Sequence, residues 1–217
     1  MSTTVIFAEI LIVGLQALIW IALMILSFFG VDFLSHSSFT NLSQWVQLII
    51  VFVLAIAYTV GIFVDRISDS IFNLQDKTLR KTYLSDDLPS VSKMRIYIMS
   101  QNSTVNKYID YIRSRARIAR STAFNLVFIE FFLLVLYSSK LTSKINSNLI
   151  FVISLLLLAA LVTAAYSWKR ISRTYYKRLE KAYKILKKNE EKKFKSEEEI
   201  IDAIEDKSTA GALKNIK

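Results

Sequence analysis

The stretch RSRARIARSTAFNLVFIEFFLLVLYSS, running from Arg113 to Ser139, decides the fold. Four arginines within eight residues give way at Ser121 to nineteen residues whose one charged side chain is Glu130. A bilayer core needs about 20 mostly apolar residues, and a helix satisfies its backbone polar groups without outside partners. The stretch therefore reads as a membrane-spanning helix with a basic collar at one end.

Working outward, three further stretches have the same character: residues 5–29, 46–64 and 149–168. With residues 121–139 they make four spans. The second and fourth carry no charge, and the first carries Glu9. Composition agrees. Hydrophobic residues make up 53% of the 217 and the mean hydropathy is +0.38, with the apolar residues bunched rather than spread at amphipathic spacing. One Pro and four Gly exclude a turn-rich β-protein. The class is all-α, a polytopic membrane protein with four transmembrane helices and a cytosolic helical extension.

Orientation follows from Lys and Arg. The connection from Gly30 to Trp45 has none, and that from Lys140 to Asn148 has Lys140 and Lys144. The connection over 66–120 has eleven and the tail over 169–217 has fifteen, so 26 of the 28 lie on one side. The positive-inside rule makes that side cytoplasmic, with both termini in the cytoplasm and the protein in the cell (inner) membrane. The chain divides into a hairpin over 1–65, a cytosolic loop over 66–120, a second hairpin over 121–168 and a cytosolic tail over 169–217. Trp45, Trp168 and Tyr137 stand at span ends, where amphipathic rings anchor. Met1-Ser2-Thr3-Thr4 lacks a basic signal-peptide start and Glu9 interrupts the apolar run, so the first helix reads as a retained span.

The basic portions have helical periodicity. Ile67, Ile71, Leu74, Leu79 and Tyr83 continue the second span. Pro89 breaks the chain, because it disfavours helix at Leu88. A short helix over 91–99 follows. From about Thr104 the spacing predicts one helix through Ile109, Ile112, Ala116 and Ala119 into the third span. Ile171, Tyr175, Leu179, Ala182 and Leu186 extend the fourth span to about Asn189. The two extensions leave adjacent spans in one direction and should pack together. Ser196-Glu197-Glu198-Glu199 fits a capping box that starts a separate helix, and Ser208–Lys217 reads as loose.

No catalytic, nucleotide or metal motif is present. The absence of cysteine excludes disulfides, thiolate metal sites and cysteine nucleophiles, and the single His36, within His36-Ser37-Ser38, reads as a loop residue. No cofactor is implied. Candidate functional residues are polar groups at membrane depth: Glu9, Gln16 and Glu130. An ionisable group inside a span is costly and marks function by default. Glu9 lies near the inner face, and reads either as a carboxylate snorkelling to the interface or as a functional acid. Gln16 and Trp20 follow on its face. Glu130 is half-way through its span. It reads as a protonated acid bonded to Tyr58, Thr59 or Thr163, or as a group facing water on an oligomer axis.

Arg113, Arg115, Arg117 and Arg120 form the collar. They suit anionic lipid headgroups, or an anionic ligand or partner beneath the membrane. Ala57 and Gly61, and Ala160 and Ala164, are small residues at four-residue spacing that allow close helix packing. Tyr175, Tyr176 and Tyr183 among basic residues read as packing groups rather than base-stacking platforms, and direct nucleic-acid binding is not expected.

Two resemblances follow from these features. A lone glutamate in the first of four spans resembles the small multidrug-resistance family, which implies a carboxylate that binds substrate and proton. The 55-residue inner loop and long tail depart from that family. The layout of four spans with a basic helical portion, in an Ile-, Lys-, Ser- and Asn-rich chain, resembles the membrane subunit of Kiwa-type antiviral defence systems. That resemblance implies a homo-oligomer in the inner membrane with a cytosolic protein partner. The functional expectation is a non-enzymatic oligomeric membrane sensor or effector. A proton- or cation-coupled transporter or channel, and a scaffold recruiting a cytosolic protein, are the alternatives.

Overall fold

The computed structural model of the chain describes residues 3–30, 45–85, 87–138 and 147–214. Those residues form five helices and no strand: α1 (Thr3–Phe29), α2 (Val46–Tyr83), α3 (Val91–Gln101), α4 (Ser103–Ser138) and α5 (Ser147–Lys214). Four of them, all but α3, are long and apolar enough to cross a membrane. Their apolar side chains face outward: Phe52, Phe151, Leu156 and Val162 are all more than two-thirds exposed or close to it. Such surface is tolerated where the surrounding solvent is hydrocarbon. The readings of the connections around His36, Lys140 and Lys144 fall outside the described residues.

α1 and α2 pack through their smallest side chains. Gly14, Ala57 and Gly61 are all buried, and a Cβ placed on Gly14 would lie 1.6 Å from the Ala57 carbonyl oxygen. A Cβ on Gly61 would lie 2.2 Å from the Ile10 carbonyl. The backbones touch, which is how dispersion holds helices together without a hydrophobic driving force. Ala57 and Gly61 thus have the packing role expected of them. Ala160 and Ala164 do not have it within the chain: Ala160 is exposed and Ala164 is only half-buried. α1 ends at Gly30, whose φ of 78° closes the helix with an N–H donated to Leu26 at 3.0 Å.

α4 is the central element, packed on α5, α1, α2 and α3. Against α1 it runs parallel in a fixed register. Ser114 bonds Glu9, Thr122 bonds Gln16, and Asn125 bonds Trp20, at sequence separations of 105, 106 and 105. Against α5 it runs antiparallel, from Glu130 beside Ser154 down to Tyr108 beneath Arg178. α4 and α5 both pass from apolar to basic sequence without a break, because no Gly or Pro interrupts either junction.

The basic halves share a core of their own. Leu79, Met94, Ile98, Ile109, Ile112 and Leu179 are buried there with Trp168, Tyr175 and Tyr176. Their surface is charged, so the hydrophobic effect operates, and each fully buried Met, Ile or Leu contributes about 1.5–3 kcal/mol. α3 is short because Pro89 precedes it and Asn102 follows. The Asn102 carboxamide then caps α4, accepting from Val105 N at 3.0 Å.

One boundary departs from the sequence reading. The Ser196 signal does not begin a new helix, since α5 runs through Lys214. The Ser196 hydroxyl donates to the Lys193 carbonyl at 2.8 Å, as a mid-helix serine does, instead of capping. A cap residue starts a helix only where the preceding backbone is not already helical, and the Lys- and Glu-rich run before it is a strong helix former. The segment expected to be loose is helical up to Lys214; residues 215–217 lie outside the described residues.

Candidate functional site

Where the four apolar segments meet the basic halves, α2, α3, α4 and α5 enclose a polar cavity of about 410 Å³. Its basic lining comes from Arg66, Arg95, Arg113, Arg117 and Arg120, and its acidic lining from Asp65, Asp69 and Asp76. Trp168, Tyr175 and Tyr176 close the α5 side, and the Ser92 and Ser172 hydroxyls complete it. Five guanidinium groups face three carboxylates in the lining itself, and Glu9 and Asp110 behind it pair with Arg117 and Arg95.

The carboxylates are already engaged. Arg120 pairs with Asp69 at 2.5 Å and with Asp65 at 3.6 Å. Tyr176 donates its hydroxyl to Asp76 at 2.6 Å. Burial pushes the Tyr176 phenol far above its ordinary value, and that hydrogen bond pushes it further. The donors are less well matched. Arg95 gives one nitrogen to Asp110 at 3.1 Å, while its Nε is buried without a partner. Arg113 forms no ion pair among the described residues. Burial raises the Tyr175 phenol, and the nearby charges of Arg95 and Arg113 pull it back.

The arginine collar is thus divided by its geometry. Arg117 turns to Glu9 at 3.8 Å, and Arg120 to the α2 aspartates. Arg115 faces away, exposed and over the ring of Tyr111 at 5.6 Å. Of the four, Arg113 alone meets the cavity with its charge uncommitted.

Glu9 does not snorkel. It is buried, accepts the Ser114 hydroxyl and faces Arg117. Snorkelling needs an open path to water, and α4 covers it. The void beside it is about 10 Å³. Gln16 accepts from Thr122 at 3.1 Å and from Asn125 at 3.5 Å. Asn125 is the residue the sequence reading missed. Fully buried, it donates to the Val13 carbonyl at 2.9 Å and accepts from the Trp20 indole at 3.1 Å. A lone Asn inside an apolar run was the available signal.

Glu130 is bonded by none of the residues expected. Thr163 donates to its own helix at Ala159 and Thr59 to Ala55. The nearest hydroxyl in the α4–α5 register is Ser154, which donates to Glu130 Oε1; Oε2 is buried without a partner. Tyr175 and Tyr176 are buried packing residues, and Tyr183 stacks edge-on against Tyr97 at 5.2 Å. A hydrogen bond to Glu190 holds the Tyr97 phenol up at about 12.

Fold and site together define an all-α polytopic membrane protein with a polar cavity at one end of its spans. Comparison with protein-family models, curated proteins and solved structures finds no match.

Proposed function

We propose that the protein is a non-enzymatic inner-membrane sensor or effector, working as a homo-oligomer, that relays a change at membrane depth to a cytosolic partner. One observation carries this reading. α4 and α5 are single helices from the spans into the basic half, and they hold one antiparallel register throughout. A shift of either helix in the bilayer must therefore move the packed basic core. Polar bonds at Glu9, Asn125 and Glu130 tie the helices at the depth where a shift would begin. The basic half is taken as cytosolic on its charge. The antiviral setting suggested by the Kiwa-type layout is compatible with this relay.

Hydrogen exchange tests the relay. Glu130→Gln should raise amide exchange not only around Ser154 but also across residues 105–120 and 168–186. A change confined to the spans would remove the proposal. Native mass in detergent tests the assembly: the mass should be a multiple of 24.9 kDa, with exposed Ala160 at the contact between copies. A single-chain mass would remove the homo-oligomer.

A further inference from the structure

The polar cavity has a neighbour. An apolar groove of about 620 Å³ runs between α2, α4 and α5, lined by Phe72, Phe124, Phe128, Leu161 and Ala165 among others. Trp168 lines both the groove and the cavity. On α4 and α5 the groove lies toward the apolar spans and the cavity toward their basic ends, while on α2 both draw on residues past Val64. A molecule that fills both has an apolar chain and an anionic head, joined at the level of Trp168.

We infer that this composite site binds one anionic phospholipid, its phosphate against Arg113, Arg95 and the Tyr175 hydroxyl and one acyl chain in the groove. The cavity presents a buried donor without an acceptor, the Arg95 Nε, and beside it the exposed Arg113, which has no ion pair among the described residues. A phosphate diester supplies several acceptor oxygens in the planar geometry that guanidinium groups match. A cation is the wrong ligand, since Arg120 and Tyr176 already occupy the aspartates. The head should carry a net negative charge, because a choline group would set a cation beside the unpaired Arg113. Both volumes lie in the range of small-molecule sites. The inference goes beyond the relay reading and does not depend on it.

The test uses the full chain in nanodiscs of mixed phosphatidylcholine and phosphatidylglycerol, with native mass spectrometry counting the lipids retained. One phosphatidylglycerol per chain should persist. Arg113→Gln should cut its retention about tenfold, the scale of one charge-assisted hydrogen bond. Arg115→Gln removes the same charge outside the cavity and should change little. Ala165→Phe, which fills the groove and leaves the arginines intact, should also release the lipid. Should Arg113→Gln not fold, Arg113→Lys keeps the charge, loses the fork and should weaken retention severalfold. Equal losses with Arg113→Gln and Arg115→Gln, or equal retention of the two lipids, would overturn the inference. So would binding of added inorganic phosphate with no lipid retained.

Discussion

Gly14→Leu will leave the chain without a folded bundle. The methyl of an alanine at this position would already lie 1.6 Å from the Ala57 carbonyl oxygen, where ordinary contact begins at 3.4 Å. The atom met is backbone, so no rotamer change relieves it. α1 and α2 would have to separate by roughly 2 Å for alanine and more for leucine. Separation breaks more than one contact. α1 also meets α4 through Val13, Gln16 and Trp20, all bonded to Asn125. Moving α1 to suit α2 therefore pulls the register that holds it to α4. Overpacking usually costs about 1–3 kcal/mol, and a backbone clash coupled to a buried polar network exceeds that range. Size-exclusion profiles and thermal midpoints in one detergent supply the measurement. Gly14→Leu should aggregate, Gly14→Ala should melt well below the native chain, and lipid-facing Ile12→Leu should match it. A Gly14→Leu chain that elutes and melts like the native one would refute the close crossing.

Why the spans were legible and the site was not is a matter of which residues must be compared. Hydropathy belongs to each residue, so residues 121–139 announce a span without reference to the rest of the chain. The continuity of α4 and α5 was readable because it needs only the absence of a breaker. The Ser196 boundary fails because a capping pattern is local, while the helix already running into it decides the backbone there. The division within the collar is hidden in the sequence for another reason. Arg113, Arg115, Arg117 and Arg120 look alike in sequence, and what separates them is the carboxylate each can reach. Those carboxylates belong to α1 and α2, some 50 to 100 residues away. Arg95 and Tyr175 enter the cavity from helices 80 residues apart. Depth alone points to Tyr58, Thr59 or Thr163 as partners for Glu130. The antiparallel register of α4 on α5, which selects Ser154, could not be fixed from periodicity.

Arg120→Leu should destabilise the protein by about 2–3 kcal/mol, and the choice of rescuing mutation should show that burial, rather than distance, sets the coupling. Arg120 makes its shorter contact with Asp69, at 2.5 Å, but the Asp69 side chain is 61% exposed. Water screens such a pair, and exposed pairs contribute about 0–1 kcal/mol. The contact with Asp65 is longer, at 3.6 Å, yet the two side chains are 14% and 18% exposed. Asp65 sits at the basic end of the second span, with the Ser121 hydroxyl at 3.4 Å as a hydrogen-bond donor, and Ser121 is shared with fully buried Ser68 at 3.0 Å. Removing the guanidinium leaves this carboxylate charged and largely desolvated. A fully buried pair broken in this way costs about 3–5 kcal/mol, and partial access to water from the cavity lowers the figure. Asp65→Asn in the Arg120→Leu background removes the stranded charge and should restore more than half of the loss. Asp69→Asn should restore almost none. Thermal or denaturant unfolding of the native chain, the single variants and the two doubles in one detergent closes both cycles. If Asp69→Asn rescues better, the 2.5 Å contact is the dominant one, and the α2 end of the cavity is wetter than its burial implies. If Asp65→Asn rescues, the cavity floor is a place where charge must be matched within the chain. Arg113, exposed at the cavity and without an ion pair among the described residues, would then be the guanidinium left for a ligand's negative charge.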